Sequence, residues 1–392
     1  MAGGADQAEG SGNGPGRRLR IVHCFRSPVG GIFRHVRDLA EAQTAAGHEV
    51  GIVCDSSTGG DYEAKLFEGI ERQLALGVRR TPMQRHIGLG DLGAAWRTLG
   101  IIKELQPHVL HGHGAKGGVY SRVFGSLFRV SRSRVARIYS PHGGSLHYDE
   151  STATGRLFFA LEGAMARLTD QLLFVSEHEL ATYRRKIGEP PRRFAVVYNG
   201  LRPEEFEPVA TAPDAADFVY VGMMRDLKGP DLFIDALART ATALGRSLSA
   251  VMVGDGADLP RYRAQAAALP QIEVTFLPAM PARQAFALGR VLVVPSRAEA
   301  MPYIVLEALA AGRTIIATAV GGVPEILGAR SPALTEADTD AIAGRMRAAI
   351  EDPAGFAAHM PAGDALRSRF SADTMARSVE QAYQDVLDAR PR

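Results

Sequence analysis

Apolar runs of four to seven residues recur along this chain, separated by stretches whose apolar positions repeat every three or four residues. The first pattern predicts strands and the second predicts helices. In the first half the strand candidates are Leu19–Phe25, Glu49–Cys54, His108–Leu110, Val135–Tyr139, Gln171–Val175 and Ala195–Tyr198. Helical patterns lie between them, as at Ile32–Ala46, where Val36, Leu39 and Ala40 share one face. Strands that are apolar on both faces and alternate with helices predict βα units and parallel sheets.

A second series of strands follows a Pro/Ala-rich linker, Arg202–Asp214: Phe218–Val221, Ser249–Val253, Ile272–Phe276, Val291–Val294 and Thr314–Ala317. Helical patterns at Ala337–Glu351 and Ala372–Ala389 finish the chain. The expected organisation is a disordered tail over 1–16, a Rossmann-like domain over 17–203, a second over 214–365, and a helix within 366–392 that packs back on the first domain. The expected fold class is therefore α/β: two doubly wound domains facing each other, with ligands at the carboxyl ends of the strands.

Composition fits this picture. The 392 residues are 46% hydrophobic with 42 glycines, and no apolar run approaches the ~20 residues that span a bilayer. The Gly- and Ala-rich start lacks an apolar signal core. Two cysteines, Cys24 and Cys54, fit reduced thiols of a cytoplasmic protein better than a disulfide framework. Net charge is +2, yet residues 1–203 carry +8 and the remainder −6, and ten of the eleven histidines lie in the first half. A basic half of this kind suits an anionic acceptor or an anionic membrane surface, and an ordinary solvated face equally. With little aromatic interleaving, it does not suit nucleic acid.

The candidate chemistry clusters at strand ends. Glu299 and Glu307 lie eight positions apart in Pro295-Ser-Arg-Ala-Glu-Ala-Met-Pro-Tyr-Ile-Val-Leu-Glu-Ala-Leu-Ala-Ala-Gly312. Glu299 is in a loop and Glu307 in an almost wholly apolar helix, so Glu307 needs a partner. A ribose diol is one such partner; a buried ion pair with Arg297 or Arg313 is another. Gly30-Gly31 opens a helix after the first strand, where bare amides favour an anionic group. His111-Gly-His113 with Lys116, and His142-Gly-Gly, place histidines past two strands, where they can meet a sugar hydroxyl or a developing charge or hold their loops. His-x-His lacks a third ligand set for a metal. Arg225 and Lys228 flank a helix start and form a candidate diphosphate clamp. Gly254-Asp-Gly256 has Leu259 where a dinucleotide fingerprint needs its third glycine, which argues against NAD or FAD.

In this order the features resemble the retaining glycosyltransferases of family 4, with the GT-B architecture. The motifs that carry the resemblance are Gly30-Gly31 with His35-Val, His111-Gly-His113-Gly, Pro141-His142-Gly, Val175-Ser-Glu177 and Tyr198-Asn-Gly200. In the second half they are Val221-Gly222 with Arg225 and Lys228-Gly, Val253-Gly-Asp-Gly256, the Glu299-x7-Glu307 pair, and Gly321-Gly-Val-Pro-Glu325. They span about residues 19–330.

The resemblance implies transfer of a hexose-type sugar from a UDP- or GDP-linked donor to a saccharide or lipid-linked saccharide, with retention and without a metal or other cofactor. It implies that Arg225 and Lys228 hold the diphosphate, Glu307 the ribose, and Glu299 with the Met301-Pro302-Tyr303-Ile304 turn the transferred sugar. Gly30 and Gly31 would let backbone approach the donor, His142 would stand by the reacting end, and His113 and Lys116 would face the acceptor. A bacterial envelope polysaccharide or lipopolysaccharide pathway, at the inner face of the membrane, is the expected setting. Two departures bear on donor identity: Ala300-Met301 stands where relatives often have glycine and an aromatic or leucine, and Pro278 replaces a frequent glycine. An epimerase of the same architecture and a non-catalytic nucleotide-sugar-binding protein remain alternatives.

Overall fold

The computed structural model describes residues 18–83, 89–127, 129–130 and 133–389. The tail expected over 1–16 lies outside the described residues. Among the described residues fifteen strands form in chain order: β1 (Arg20–Phe25), β2 (Glu49–Asp55), β3 (Gly77–Thr81), β4 (Val109–His113), β5 (Arg129–Val130), β6 (Ser133–Arg134), β7 (Ala136–Ser140), β8 (Gln171–Phe174) and β9 (Phe194–Val196) in the first half, then β10 (Ala216–Val221), β11 (Leu248–Val253), β12 (Ile272–Leu277), β13 (Gly289–Val294), β14 (Thr314–Thr318) and β15 (Leu334–Thr335). β5 and β6 form a small antiparallel hairpin of their own.

The first sheet is parallel throughout, in the order β3-β2-β1-β4-β7-β8-β9. The second runs β12-β11-β10-β13-β14-β15, again parallel. In both sheets the chain starts in the middle, winds outward on one side and returns to wind the other way. The switch points fall between β1 and β4 and between β10 and β13. These are the places where a doubly wound sheet opens a crevice at its carboxyl edge.

The central strands are continuously apolar because helices cover both sheet faces; β1 and β2 are buried along nearly their whole length. β3 departs from the pattern that the sequence made legible. Its Gly-Val-Arg-Arg-Thr is an edge strand with Arg79 and Arg80 exposed, so it has no apolar run to announce it.

The terminal helix Ala372–Asp388 returns to the first domain. Met375, Val379, Ala382, Tyr383 and Val386 share a core with Leu19, Ile21, Leu39 and Val109. Asp217 on β10 bonds β11 at Ser249, and Arg313 donates to the carbonyls of Val209 and Gly289, tying the linker to the second sheet. The largest apolar core belongs to the second domain, built around Phe218, Phe233, Leu292, Val305, Leu306 and Ile315. Among the described residues no helix is long and apolar enough to cross a membrane.

Candidate functional site

The two carboxyl edges face each other, and several contacts cross between them. Asn199 donates from Nδ2 to the carbonyl of Met301 at 2.7 Å. The Tyr303 hydroxyl lies 3.5 Å from His35 Nδ1. Glu325 accepts from the backbone N–H groups of Glu177 and His178, at 2.9 and 2.8 Å, and so caps the helix Glu177–Lys186 from the opposite domain.

On the second-domain wall, the Glu299 loop follows β13. Its Oε1 accepts from Lys228 Nζ at 2.6 Å and from Ser296 Oγ at 2.6 Å. Lys228 belongs to a short 3-10 turn, Asp226–Lys228, after β10. Gly321, at φ +59, makes the fit possible: a Cβ there would stand 1.9 Å from the Glu299 carbonyl oxygen. Arg225, one turn away from Lys228, is exposed. Pro302 caps the helix Tyr303–Ala310, so its free amides open toward the same space. Met301, Pro302 and Tyr303 are buried, and Ile304 is half-buried.

Glu307 pairs with neither of the two arginines that the sequence offered as ion-pair partners. Arg297 pairs with Asp231, and Arg313 is spent on carbonyls and Thr211. The partner is Arg34, from the first-domain helix Gly30–Ala45. Its guanidinium also reaches Glu205 at 2.6 Å and Asp38 at 3.3 Å, and lies 4.4 Å over the Tyr303 ring. Burial raises the Glu307 carboxyl above the usual range, and Arg34 opposes that rise. No local spacing announces a pair whose members lie 273 positions apart. Gly31 sits one turn before Arg34; a Cβ on it would come 3.7 Å from the Tyr303 ring.

The first-domain wall is a group of five histidines. His23 and His111 are register partners on β1 and β4, and His113 follows on the same face. His23 Nδ1 is 3.0 Å from His113 Nε2, and His113 Nδ1 is 3.0 Å from His142 Nε2. His35 Nδ1 is 3.0 Å from Asn199 Oδ1. His142 has φ +50, a conformation that costs a non-glycine residue on the order of 1 kcal/mol or more and turns its ring back onto His113. Glu179 fixes the loop behind it, accepting from the N–H groups of Gly143 at 2.5 Å and Val175 at 2.8 Å. Burial keeps these rings neutral: it lowers His23 and His35 to about 4, and His111, His113 and His142 well below the ordinary value. It raises Glu179 to about 7.

One expectation is corrected here. His113 is 1% exposed and lies behind His142, so it cannot face an acceptor; it supports His142 from the rear. Lys116 is half-buried in the first turn of the helix Gly114–Leu127. Gly30 only opens its helix at φ +67, with open space where a Cβ would stand. The structure brings Tyr303 and Glu307 together through Arg34, with Gly31 beside the Tyr303 ring and Met301 held by Asn199, and Lys228 with Glu299 as a second group.

Sequence reasoning missed Arg34, His23, Glu205 and Glu325 as site residues. His147 was missed as well: it ends the 3-10 turn Gly144–His147, where partial desolvation lowers its pKa and the Glu299 charge across the cleft raises it. The signal for His23 was present, since it precedes the end of an apolar strand beside the strand that carries His-x-His. Two histidine triples, His23/His111/His113 and His35/His113/His142, have ring nitrogens close enough to share an ion. Their nitrogens are instead largely committed to one another and to Gln43, Ser140, Tyr383 and Asn199.

Comparison with known proteins agrees with this architecture. Residues 30–200 match the family described as Glycosyl transferase 4-like domain, and residues 215–352 match Glycosyl transferases group 1. Glycogen synthase of Mycobacterium tuberculosis is 25% identical over 396 residues, covering 93% of this chain and 94% of that protein. D-inositol 3-phosphate glycosyltransferase of Geodermatophilus obscurus is 30% identical over 230 residues, covering 52% of this chain and 47% of that protein. Among solved structures, Anabaena HepE in complex with UDP and glucose superposes with a TM-score of 0.75 at 17% identity, covering 95% of this chain and all of that one. With both domains matched in order and the two facing sheets in place, the chain belongs to the two-domain glycosyltransferases of the GT-B fold.

Proposed function

We propose that this glycosyltransferase moves a hexose-type sugar from a UDP- or GDP-linked donor to a saccharide or lipid-linked saccharide, with retention and without a metal ion. The observation that carries the reading is the Lys228–Glu299 pair at 2.6 Å, beside the free amides that begin the helix Tyr303–Ala310. A cation, a carboxylate and a helix N-terminus at one carboxyl edge of the second sheet suit a diphosphate joined to a polyhydroxylated ring. The HepE complex, which holds UDP and glucose, supports the same class of ligand.

In this reading Arg225 and Lys228 neutralise the diphosphate and stabilise it as it leaves. Glu299, released from Lys228 when phosphate takes its place, accepts hydroxyl protons of the transferred sugar. Glu307 binds the ribose, exchanging part of its contact with Arg34. Gly31 leaves room for the donor phosphates, and His142 stands beside the reacting carbon. The attacking hydroxyl approaches from the leaving-group face, and a donor phosphate oxygen takes its proton. Lys116 lies on the acceptor side.

The names of the relatives, a glycogen synthase and an inositol phosphate glycosyltransferase, support a hydroxylated acceptor and leave a polysaccharide and a small polyol both in play. A bacterial envelope saccharide, met on the cytoplasmic face of the membrane, is the acceptor we favour. The helix Ala153–Ala166 supports a peripheral contact, since Leu157 and Leu161 on it are 59% and 44% exposed next to Arg156. Liposomes containing anionic lipid should sediment the protein at low salt; absence of sedimentation removes the membrane part of the proposal.

Calorimetric titration with UDP, GDP and ADP, in EDTA and then with Mg²⁺, tests the whole. Binding of UDP or GDP in EDTA is expected. Binding of none, or binding only with metal, overturns it. Conversion of a nucleotide sugar without any acceptor would favour the epimerase alternative.

A further inference from the structure

The five histidines do not end at His142. Three of them, His23, His113 and His142, are joined by hydrogen bonds into one chain whose direction follows from the atoms at its far end. Gln43, on the helix Gly30–Ala45, places Oε1 2.8 Å from His23 Nε2 and donates from Nε2 to the Tyr383 hydroxyl at 3.4 Å. A carbonyl oxygen only accepts, so His23 carries its proton on Nε2 and offers a bare Nδ1. His113 must then donate from Nε2 to His23 and keep a bare Nδ1. His142 must donate from Nε2 to His113, which leaves Nδ1 of His142 without a proton.

A second branch obeys the same rule. Tyr383, accepting from Gln43, donates to His111 Nδ1 at 2.7 Å, and His111 donates from Nε2 to Ser140 Oγ at 2.8 Å. Gln43, His23, His113, His111, Tyr383 and Ser140 are buried and His142 is half-buried, so the bonds behind His142 are shielded from solvent.

We propose that Gln43 is a positioning residue for His142: it fixes, through the rings of His23 and His113, a neutral His142 whose Nδ1 can only accept a hydrogen bond. The amide of Gln43 is also a dead end for protons, because it cannot take one up from His23. His142 therefore meets a substrate hydroxyl as an acceptor and does not pass its proton away. Turning the amide over would reverse every bond in the chain, and His142 would present an N–H instead. Gln43 and Tyr383, which holds the amide, thus set the chemistry of a ring that neither of them touches. The catalytic consequence rests on the proposed place of His142 beside the reacting carbon; the coupling itself does not.

The test is ¹⁵N NMR of histidine-labelled protein, with the His142 signals assigned from His142→Gln. The expected spectrum shows His142 protonated on Nε2 and bare on Nδ1. Gln43→Leu should convert this to a mixture of tautomers, while Gln43→Glu, which keeps an acceptor toward His23, should retain the single form. In Gln43→Leu kcat should fall about tenfold, the worth of one good hydrogen bond, with the donor KM little changed and activity restored in Gln43→Glu. Should Gln43→Leu fail to fold, Tyr383→Phe frees the amide to turn and is expected to give the same mixture. A wild-type His142 protonated on Nδ1, or an unchanged single tautomer in Gln43→Leu, overturns the proposal. Full activity in His142→Ala would instead remove the catalytic reading and leave the tautomer result to stand or fall alone.

Discussion

Arg34 joins Glu307 across the domain boundary, and the same guanidinium holds Glu205 and Asp38. One cation therefore compensates three carboxylates in a place where little water reaches them. Replacing Arg34 by alanine leaves Asp38 with Arg37 and Arg202 but takes the ion-pair partner from Glu307 and Glu205, which costs about 3–5 kcal/mol for a buried pair. The guanidinium denaturation midpoint of Arg34→Ala should drop accordingly. The loss should be larger at pH 8 than at pH 5, because burial raises the Glu307 carboxyl and lets it take up a proton as pH falls. A midpoint unchanged at pH 8 would show that Arg34 does not carry this load.

The histidine group predicts acid lability. His23 and His35 are lowered from 6.5 to about 4 by burial, and His111, His113 and His142 are lowered well below it. The unfolded chain takes up these protons near pH 6.5, and the folded chain resists them. Their contribution is thus complete above that pH and is lost as pH falls from 6.5 through 4. Glu179, raised to about 7, has the opposite sign: the folded state holds its proton, so its contribution is lost as pH rises from 4.5 to 7. Five histidines lowered by burial outweigh one carboxyl raised by it. Melting temperature should fall steadily from pH 6.5 to 4, and more steeply in Glu179→Gln. A flat profile would contradict the neutral, buried cluster.

Glu325 is the domain latch to test. Its carboxylate closes on two free amides of the helix Glu177–Lys186, a charge-assisted pair of bonds worth about 1–2 kcal/mol at this exposed position. Glu325→Ala should open the molecule, read as a larger radius of gyration in solution scattering, and weaken nucleotide binding several-fold. Unchanged scattering would mean that Asn199 and Arg34 suffice to hold the domains together.

Much of this architecture was legible in the chain, and the reasons are physical. Strands buried on both faces leave continuous apolar runs, so both sheets could be traced from β1 to β14 apart from β3, whose exposed arginines hide it. Glu299 and Lys228 were legible because each follows a strand end, the place where a doubly wound fold gathers its ligands. Arg34 and Gln43 were not. They lie on the helix Gly30–Ala45, where a polar residue reads as solvated until the other domain or the terminal helix is packed against it. His113 misled for the converse reason: a strand-end histidine points to a cleft only when no other ring stands in front of it, and His142 does.

The pairing of Lys228 with Glu299 makes their variants interdependent. With Lys228 bonded to Glu299 Oε1, removal of Glu299 frees the lysine, while removal of Lys228 leaves Glu299 with Ser296 alone. Glu299→Ala should abolish transfer, because the sugar loses its acceptor group, yet it should bind UDP or GDP at least as well as the native chain, since Lys228 no longer has to leave a carboxylate to reach phosphate. Lys228→Ala should weaken nucleoside diphosphate far more than the bare nucleoside, by about tenfold to a hundredfold for a lost charge-assisted contact. In the double variant, diphosphate binding should match Lys228→Ala alone, because Glu299 affects the nucleotide only through the lysine. Calorimetry on the three variants measures this coupling directly. Additive losses would mean that Glu299 touches the nucleotide itself, and equal losses of nucleoside and diphosphate in Lys228→Ala would remove the clamp.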